Sequence, residues 1–434
     1  MDAKSATATP WPIRMRWRIS PTGRNWRNKP LPASTPSALL FLCGQCGRRG
    51  LACLLLFLFS LPAHAALLTL PIDEHSPLIG AARDQLMLVH YRDGAFHEVR
   101  HQWLPWTLGH QPYFQEDHDA RRDIPVDQVA AGDRLLLRSG DAGEVHPMPL
   151  PAEVLATLPI AHGDGVFYVL RARPRATFAP AATLERAPLA IRGDRFRLAF
   201  VDDNLFRWGD FTYQGWNGEG TLLDGLKLRL SAGLLLRNAR VTLDNDNLDP
   251  VIRQVITGPL ATLVYATTRV RVAGLRVLTV HNYFIVGADS VVVHSRFTLP
   301  AVAATVLREP SARITVDGYR LQGARLRTSW TGAREAVVDG VLNDAEQAMR
   351  GSTVPRNNTL WFDTGKGFAL RARLRFLDGF DTPVRFIYED DMQRPDPPER
   401  FPGQEPEVGF LLKDLPFGQE YYVIAELWFS SALP

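Results

Sequence analysis

The sequence predicts an all-β protein, a large antiparallel β-sandwich preceded by a smaller β domain. Three observations predict it. Apolar and polar residues alternate with a period of two from Leu67 to the end of the chain. Gly, Asn, Asp and Pro punctuate the alternating runs at short intervals, as at Asp93-Gly94, Ala273-Gly274 and Asp317-Gly318. A helical pattern is convincing only over the short stretch Asn343–Arg350. Many short strands separated by turn signals fold as sandwiches or barrels.

Residues 1–65 read as a leader. Residues 1–40 are rich in Pro, Ser and Arg with no periodicity, which predicts disorder. Arg48-Arg49 then precede an apolar run from Leu51 to Leu61, and Ala63-His64-Ala65 supplies small residues at a cleavage site. The run is shorter than the ~20 residues that cross a bilayer. The expectation is a signal peptide cut after Ala65 and a mature chain that is periplasmic or secreted. Contact with a membrane is then expected only through an uncleaved leader.

Composition changes when the leader is set apart. Nine of the 49 Lys and Arg and one of the 46 acidic residues lie in it, leaving 40 against 45, a net charge near −5. A persistent basic face is therefore missing, which excludes nucleic acid as a partner. All three cysteines, Cys43, Cys46 and Cys53, are also in the leader. Disulfides, thiolate metal sites and a Cys nucleophile are excluded from the rest.

The mature elements follow in order. Strands are expected at Gln85–Tyr91, Ala95–Trp103, Arg134–Ser139 and Val166–Ala172, forming a small N-terminal β domain over residues 66–171. The Pro- and Ala-rich stretch 172–188 reads as a linker. The large sandwich, residues 189–434, is expected to carry strands at Arg195–Val201, Leu222–Leu230, Leu234–Leu243, Val251–Ile256, Leu260–Val272, Leu275–Val286, Ser290–Leu299, Phe368–Phe376, Val384–Tyr388 and Tyr421–Phe429. Residues 392–406, rich in Pro and charge, read as a loop.

His97-Glu98-Val99-Arg100-His101 matches the H-E-x-x-H pattern of zinc proteases. That chemistry needs a helix. Asp93-Gly94 just before it is a hairpin turn, so the segment reads as a strand. Residues four apart on a strand stand ~13 Å apart at ~3.3 Å per residue, beyond the reach of one zinc with ~2 Å bonds. Eight of the eleven histidines fall between His75 and His162, a density that keeps a metal- or haem-binding reading open.

The hairpin spanning Leu275–Leu299 holds the polar group of greatest interest. A two-residue turn at Ala288-Asp289 pairs His281 with Arg296 and Tyr283 with His294. It segregates Leu278, Val280, Phe284 and Val286 onto the opposite face, as register requires. His281, Tyr283, His294 and Arg296 are the candidate catalytic residues. Tyr or His can move a proton, and Arg can neutralise a carboxylate. The same arithmetic across the preceding turn puts Val264, Ala266 and Thr268 beside this row. It also puts Arg269 and Arg271 on the apolar side, which a β-bulge would repair.

Trp208, Tyr213 and Trp216, crowded with Phe206 and Phe211, are candidate saccharide-binding residues, with Glu389 after the strand ending at Tyr388. Asp244-Asn245-Asp246-Asn247-Leu248-Asp249 is a dense set of oxygens, and Asp244, Asp246 and Asp249 are candidate calcium ligands. No other cofactor is implied.

The run Arg253-Gln-Val-Ile-Thr-Gly-Pro-Leu260, the long strand to Arg271, Tyr283 late in the next strand and Ser290-Val-Val-Val-His294 together resemble the central sheet of the galactose-mutarotase-like β-supersandwich. That fold is shared by sugar epimerases, polysaccharide lyases and several glycosidases. The resemblance spans roughly residues 190–430 and implies a concave sheet face that holds a saccharide. For the lyases it implies Tyr, His and Arg acting on a uronate, although the helical half usual in them has no counterpart here. The leading expectation is an exported carbohydrate-binding or carbohydrate-active protein with uronate lyase or epimerase chemistry. A non-catalytic periplasmic scaffold or assembly accessory is the alternative. The sequence carries no signal for oligomeric state.

Overall fold

The computed structural model describes residues 67–434, apart from 109, 161–164, 236–238, 273–274, 378–379, 392, 394–400, 402–405 and 434. The segment read as a leader, with Cys43, Cys46, Cys53 and the expected cleavage site, lies outside the described residues, as do the turn expected at Ala273-Gly274 and most of the expected loop 392–406.

The chain is all-β, and residues Leu61–Pro434 form one compact unit. A nine-stranded antiparallel sheet dominates it. Its strands lie in the order Leu248–Thr257, Ala261–Val272, Leu275–Gly287, Ser290–Thr298, Glu420–Ser430, Ala369–Phe376, Leu360–Asp363, Arg325–Thr328 and Glu335–Val337. One face carries Val264, Ala266, Phe284, Val286, Leu374 and Phe429 into the main core. Two further sheets close that core. One has five strands, Arg240–Leu243, Leu223–Leu234, Leu307–Gly318, Glu407–Leu412 and Val384–Glu389. The other has four, Trp208–Tyr213, Phe196–Phe200, Leu189–Arg192 and Thr183–Arg186. The last of these strands lies in the stretch read as a linker, and Thr262 Oγ1 donates to the Ala182 carbonyl at 2.6 Å just before it.

Ahead of this sandwich sits a small one. Three strands, Leu67–Pro71, Arg134–Arg138 and Gln102–Leu104, face four, Ala95–Glu98, Leu86–Arg92, Val166–Arg171 and Val154–Pro159. Leu86, Leu88, Leu135, Leu137, Phe167 and Val169 fill the space between them. Strand alternation sends Leu136 the other way, onto the nine-stranded sheet, with Leu104, Trp106 and Phe114.

Several expectations are corrected. Ala95–Trp103 is not one strand. Pairing breaks after Glu98, Val99 turns into the small core, and Gln102–Leu104 joins the other sheet. The two strands expected over 222–243 are one long strand, Leu223–Leu234, followed by Arg240–Leu243. Asp317-Gly318 is not a turn but the paired end of Leu307–Gly318, opposite Glu407 and Leu223. The helix is Asp344–Met349, held at its start by Asn343, whose side chain accepts from the Ala345 and Glu346 amides while Glu346 reaches back. At Asp93-Gly94, φ is 53° and 78°, the left-handed pair that a two-residue hairpin turn requires.

Candidate functional site

The hairpin arms Leu275–Gly287 and Ser290–Thr298 pair in the expected register, His281 opposite Arg296 and Tyr283 opposite His294. The strand on the other side is offset by one residue. A bulge between Val270 and Arg271 puts Tyr265 opposite Tyr283 and Thr267 opposite His281. The small neighbours expected there, Val264 and Ala266, point into the main core instead. The bulge also brings Arg269 opposite Thr279, on the polar side.

A segment of the small sandwich lies across this face. Asp133 anchors it from a fully buried position. The carboxylate accepts from the amides of Trp106 and Ala130 at 2.9 and 2.7 Å, and from the guanidinium groups of Arg122 and Arg83. Burial alone would raise its pKa, but Arg122 and the two amides outweigh burial and hold it below the usual carboxylate range. So fixed, the segment lays Phe114 against Tyr265 and Tyr283, at centroid distances of 5.5 and 6.1 Å. It also delivers Asp117, which accepts from Tyr283 Oη at 2.7 Å and Gln111 Nε2 at 3.1 Å. Gln102 secures the other flank. Its amide oxygen accepts from the backbone of Leu260 and Ala261, and its nitrogen donates to the Ala261 carbonyl. A Cβ on Gly258 would stand 2.3 Å from the Gln102 side chain, so the Gly258-Pro259 turn leaves room for this clasp.

The result is a polar cluster at a seam. Tyr265 Oη and His281 Nδ1 are 2.9 Å apart. His281 Nε2 faces Asp119 at 3.8 Å, and its Nδ1 faces Asp117 at 3.9 Å. Arg296 stands 3.9 Å from Asp117, 3.6 Å from Asp119 and 3.6 Å from Glu420. Tyr283 and Asp117 are buried, whereas Asp119 and Glu420 are 65% and 58% exposed and His281 and Arg296 are 20% and 17% exposed. The cluster thus has a closed floor and a solvent-reached mouth. Burial, and then the nearby Arg296 charge, lower the His281 pKa, so the imidazole is neutral near pH 7. Burial, with the Asp117 carboxylate adding to it, pushes the Tyr283 phenol far above its ordinary value.

His294 belongs to the floor. Its Nδ1 lies 2.7 Å from Tyr422 Oη, which donates to the His110 carbonyl. A carbonyl only accepts, so the Tyr422 proton goes there and His294 carries its proton on Nδ1. Burial, then Arg375 and Arg134, lower its pKa to about 3. A cleft of about 440 Å³ opens beside this end of the seam, lined by Trp106, Thr107, His110, Arg134 and the Asp73-Glu74 turn.

The register brings all four expected catalytic residues together, but their commitments differ from those the uronate chemistry needs. Tyr283 gives its proton to Asp117 and is out of reach of solvent. Arg296 faces three carboxylates at 3.6 to 3.9 Å, and its Nε and Nη2 are buried without a hydrogen-bond partner. Asp117, Asp119 and His281 offer ligand atoms within 4.8 Å of one another, and Arg296 stands 3.9 and 3.6 Å from the two carboxylates.

The other expected residues lie elsewhere. Trp208 donates from Nε1 to the Leu205 carbonyl, Tyr213 is buried against Phe368, and Trp216 packs at the edge of the main core. Glu389 pairs with Arg350. The calcium candidates are not gathered. Asp244 caps a short 3-10 turn, Asp246 bonds Arg207 at 2.6 Å, and Asp249 bonds Arg271 at 3.2 Å. In the H-E-x-x-H segment, Glu98 accepts from the amides of Arg175 and Ala176, and His101 Nδ1 lies 3.1 Å from the Val99 carbonyl.

Sequence reasoning missed Asp117, Asp119, Tyr265, Tyr422 and Glu420. The signal for the first two was the acidic pair beside His118 in the histidine-dense stretch. It also missed a buried charged group on the five-stranded sheet, where Lys227 and Asp317 pair at 2.7 Å beside Glu407.

No protein-family model matches the chain, and no curated protein matches it. Among solved structures it is similar to an alpha-mannosidase from Enterococcus faecalis V583, at 8% identity and a TM-score of 0.46, over 85% of this chain and 42% of that one. It is also similar to the alpha-N-acetylgalactosaminidase NagBb from Bifidobacterium bifidum, solved in complex with GalNAc, at 13% identity and a TM-score of 0.34, over 56% of this chain and 36% of that one. The chain spans less than half the length of either.

Proposed function

We propose that the chain is an exported saccharide-binding protein on a supersandwich of the galactose-mutarotase-like kind, and that the sugar sits at the mouth formed by Asp119, His281, Arg296 and Glu420. The observation that carries the reading is the division of the cluster into a buried floor and this reachable rim. Tyr265 Oη, 2.9 Å from His281 Nδ1, holds the imidazole in place, so a ligand meets that ring already oriented. The rim supplies carboxylates to accept from sugar hydroxyls and a guanidinium to donate to them.

The charge of the rim selects the ligand class. Two rim carboxylates, with Asp117 buried beneath them, surround one guanidinium beside a neutral imidazole, an arrangement that repels uronates and suits neutral or amino sugars.

A second reading, a non-catalytic scaffold, is favoured by one specific observation. Tyr283, Tyr265 and His294 are all buried at an interface between two sandwiches, where polar side chains also serve to fix one arrangement. Titration of the mature protein with neutral and N-acetylated oligosaccharides separates the two. The saccharide reading expects binding that falls tenfold or more in Asp119→Ala and His281→Ala with thermal unfolding unchanged. Absence of binding, or equal binding by both variants, leaves the scaffold.

A further inference from the structure

The same face of the nine-stranded sheet continues past the seam, where the side chains of Arg327, Arg373 and Arg375 are 58%, 37% and 50% exposed. Cross-strand pairing there aligns Arg327, Trp361, Arg371 and Trp428 in a single row, one residue from each of four neighbouring strands. Residues directly opposite one another in a sheet share a face, so cation and aromatic ring alternate along the row. The Arg371 guanidinium lies 4.2 Å from the Trp428 ring centroid, and that of Arg373 lies 5.6 Å from it. Arg373 and Arg375 follow at every second position of their strand, ~6.6 Å apart along it, and both bond Glu426. Arg371 makes no ion pair among the described residues, whereas Arg325 and Arg327 face Glu335 at 2.9 and 3.6 Å.

We infer that this Arg–Trp row is a docking platform for an acidic glycan chain, one bearing carboxylate or sulfate groups. Charge complementarity carries the inference. Five arginines, Arg325, Arg327, Arg371, Arg373 and Arg375, stand on a face with Glu335, Asp363 and Glu426, an excess of two positive charges. The chain beyond its leader is net negative. The excess is therefore local. Stacking on Trp428 holds the Arg371 fork in one orientation, so bidentate contact with an anionic group costs little side-chain freedom. Ring faces between the arginines suit the C–H faces of sugar rings. The row runs across four neighbouring strands, which fits an extended chain rather than a single sugar in a pocket. This platform is separate from the acid-rich mouth at the seam and selects the opposite charge.

The test uses the mature protein with dextran sulfate, polygalacturonate and uncharged dextran, and with vesicles of phosphatidylglycerol. The expected result is binding to the two acidic polysaccharides, weakened at least tenfold between about 0.05 and 0.5 M salt as screening sets in, and little binding to uncharged dextran. The double variant Arg327→Gln/Arg371→Gln should lose at least tenfold in affinity with thermal unfolding unchanged. Should that variant fold poorly, Arg371→Lys, which keeps the charge and loses the fork and the stack, should lose affinity at the same ionic strength. Equal binding of charged and uncharged dextran overturns the platform. So does unchanged affinity in whichever variant folds, or vesicle binding without polysaccharide binding.

Discussion

Gln102 and Tyr283 make polar contacts between the sandwiches, and each can be tested alone. Gln102 satisfies three backbone groups at the turn after Gly258, and Gly258 is the position where any Cβ would strike it. Gly258→Ala should therefore destabilise the protein by about 1–3 kcal/mol, the usual cost of overpacking a filled site. In a Gln102→Ala background the same substitution should cost less, because the obstructing atoms are gone. Urea unfolding of the four members of this cycle checks the coupling, and strictly additive losses would show that the clasp is not formed. Tyr283→Phe removes the proton that Tyr283 Oη gives to Asp117 and should cost about 1–3 kcal/mol, as for other buried acceptors deprived of a donor. The residues at the mouth were half legible in the sequence. His281 and Arg296 could be paired because alternation and a two-residue turn fix a register. Asp117 and Asp119 lie more than 160 positions earlier, on an irregular segment where no periodicity points, so only the folded chain brings them in.

Among the elements, hairpins were the most readable and long irregular strands the least. Asp93-Gly94 announced its turn because the residues that tolerate positive φ are few. Gly94→Ala should cost about 1–2 kcal/mol, the penalty of placing a Cβ in left-handed backbone, and a melting curve unmoved by it would contradict the turn. Leu307–Gly318 escaped notice because Glu309 and Pro310 interrupt its alternation. Its pairing with Leu223–Leu234 slips where Ser231 gives way to Gly233, and Glu309 itself has φ of 47°. The one-residue error beside Tyr283 has the same origin. A bulge changes which face every later residue occupies, yet it leaves no mark on composition. The strands Thr183–Arg186 and Leu189–Arg192 lie in and just after a stretch whose Pro and Ala content suggested a tether, because short strands carry too few residues for a period to emerge.

At the scale of the molecule, two buried groups set opposing responses to pH. His294 is kept neutral, with a pKa of about 3, by burial and by Arg375 and Arg134. The unfolded chain takes up that proton first, so this group removes stability as pH falls from about 6.5 toward 3. Asp317 behaves in the reverse sense. Burial, against the pull of Lys227, raises its pKa to about 7 from 3.8. The folded chain then holds a proton that the unfolded chain has released, so this group removes stability as pH rises from about 4 toward 7. Urea unfolding across pH 4–8 should lose much of its upper slope in the double variant Lys227→Met/Asp317→Asn, which takes away both charges together. An unaltered slope would place the Asp317 proton elsewhere. For His294, the imidazole resonances should stay in the neutral position down to pH 5.

The cover over the main sheet has a consequence for biosynthesis. Leu104, Trp106, Phe114 and Leu136 pack on Leu263, Tyr265, Tyr283 and Ile285, well over a hundred positions further along the chain. Synthesis proceeds from the amino end, so the lid is finished long before the surface it closes exists. Through that interval the early domain carries a bare greasy patch in search of a mate. A nascent fragment stopped near residue 180 should therefore be sticky and dependent on chaperones, and extending it past residue 300 should cure it.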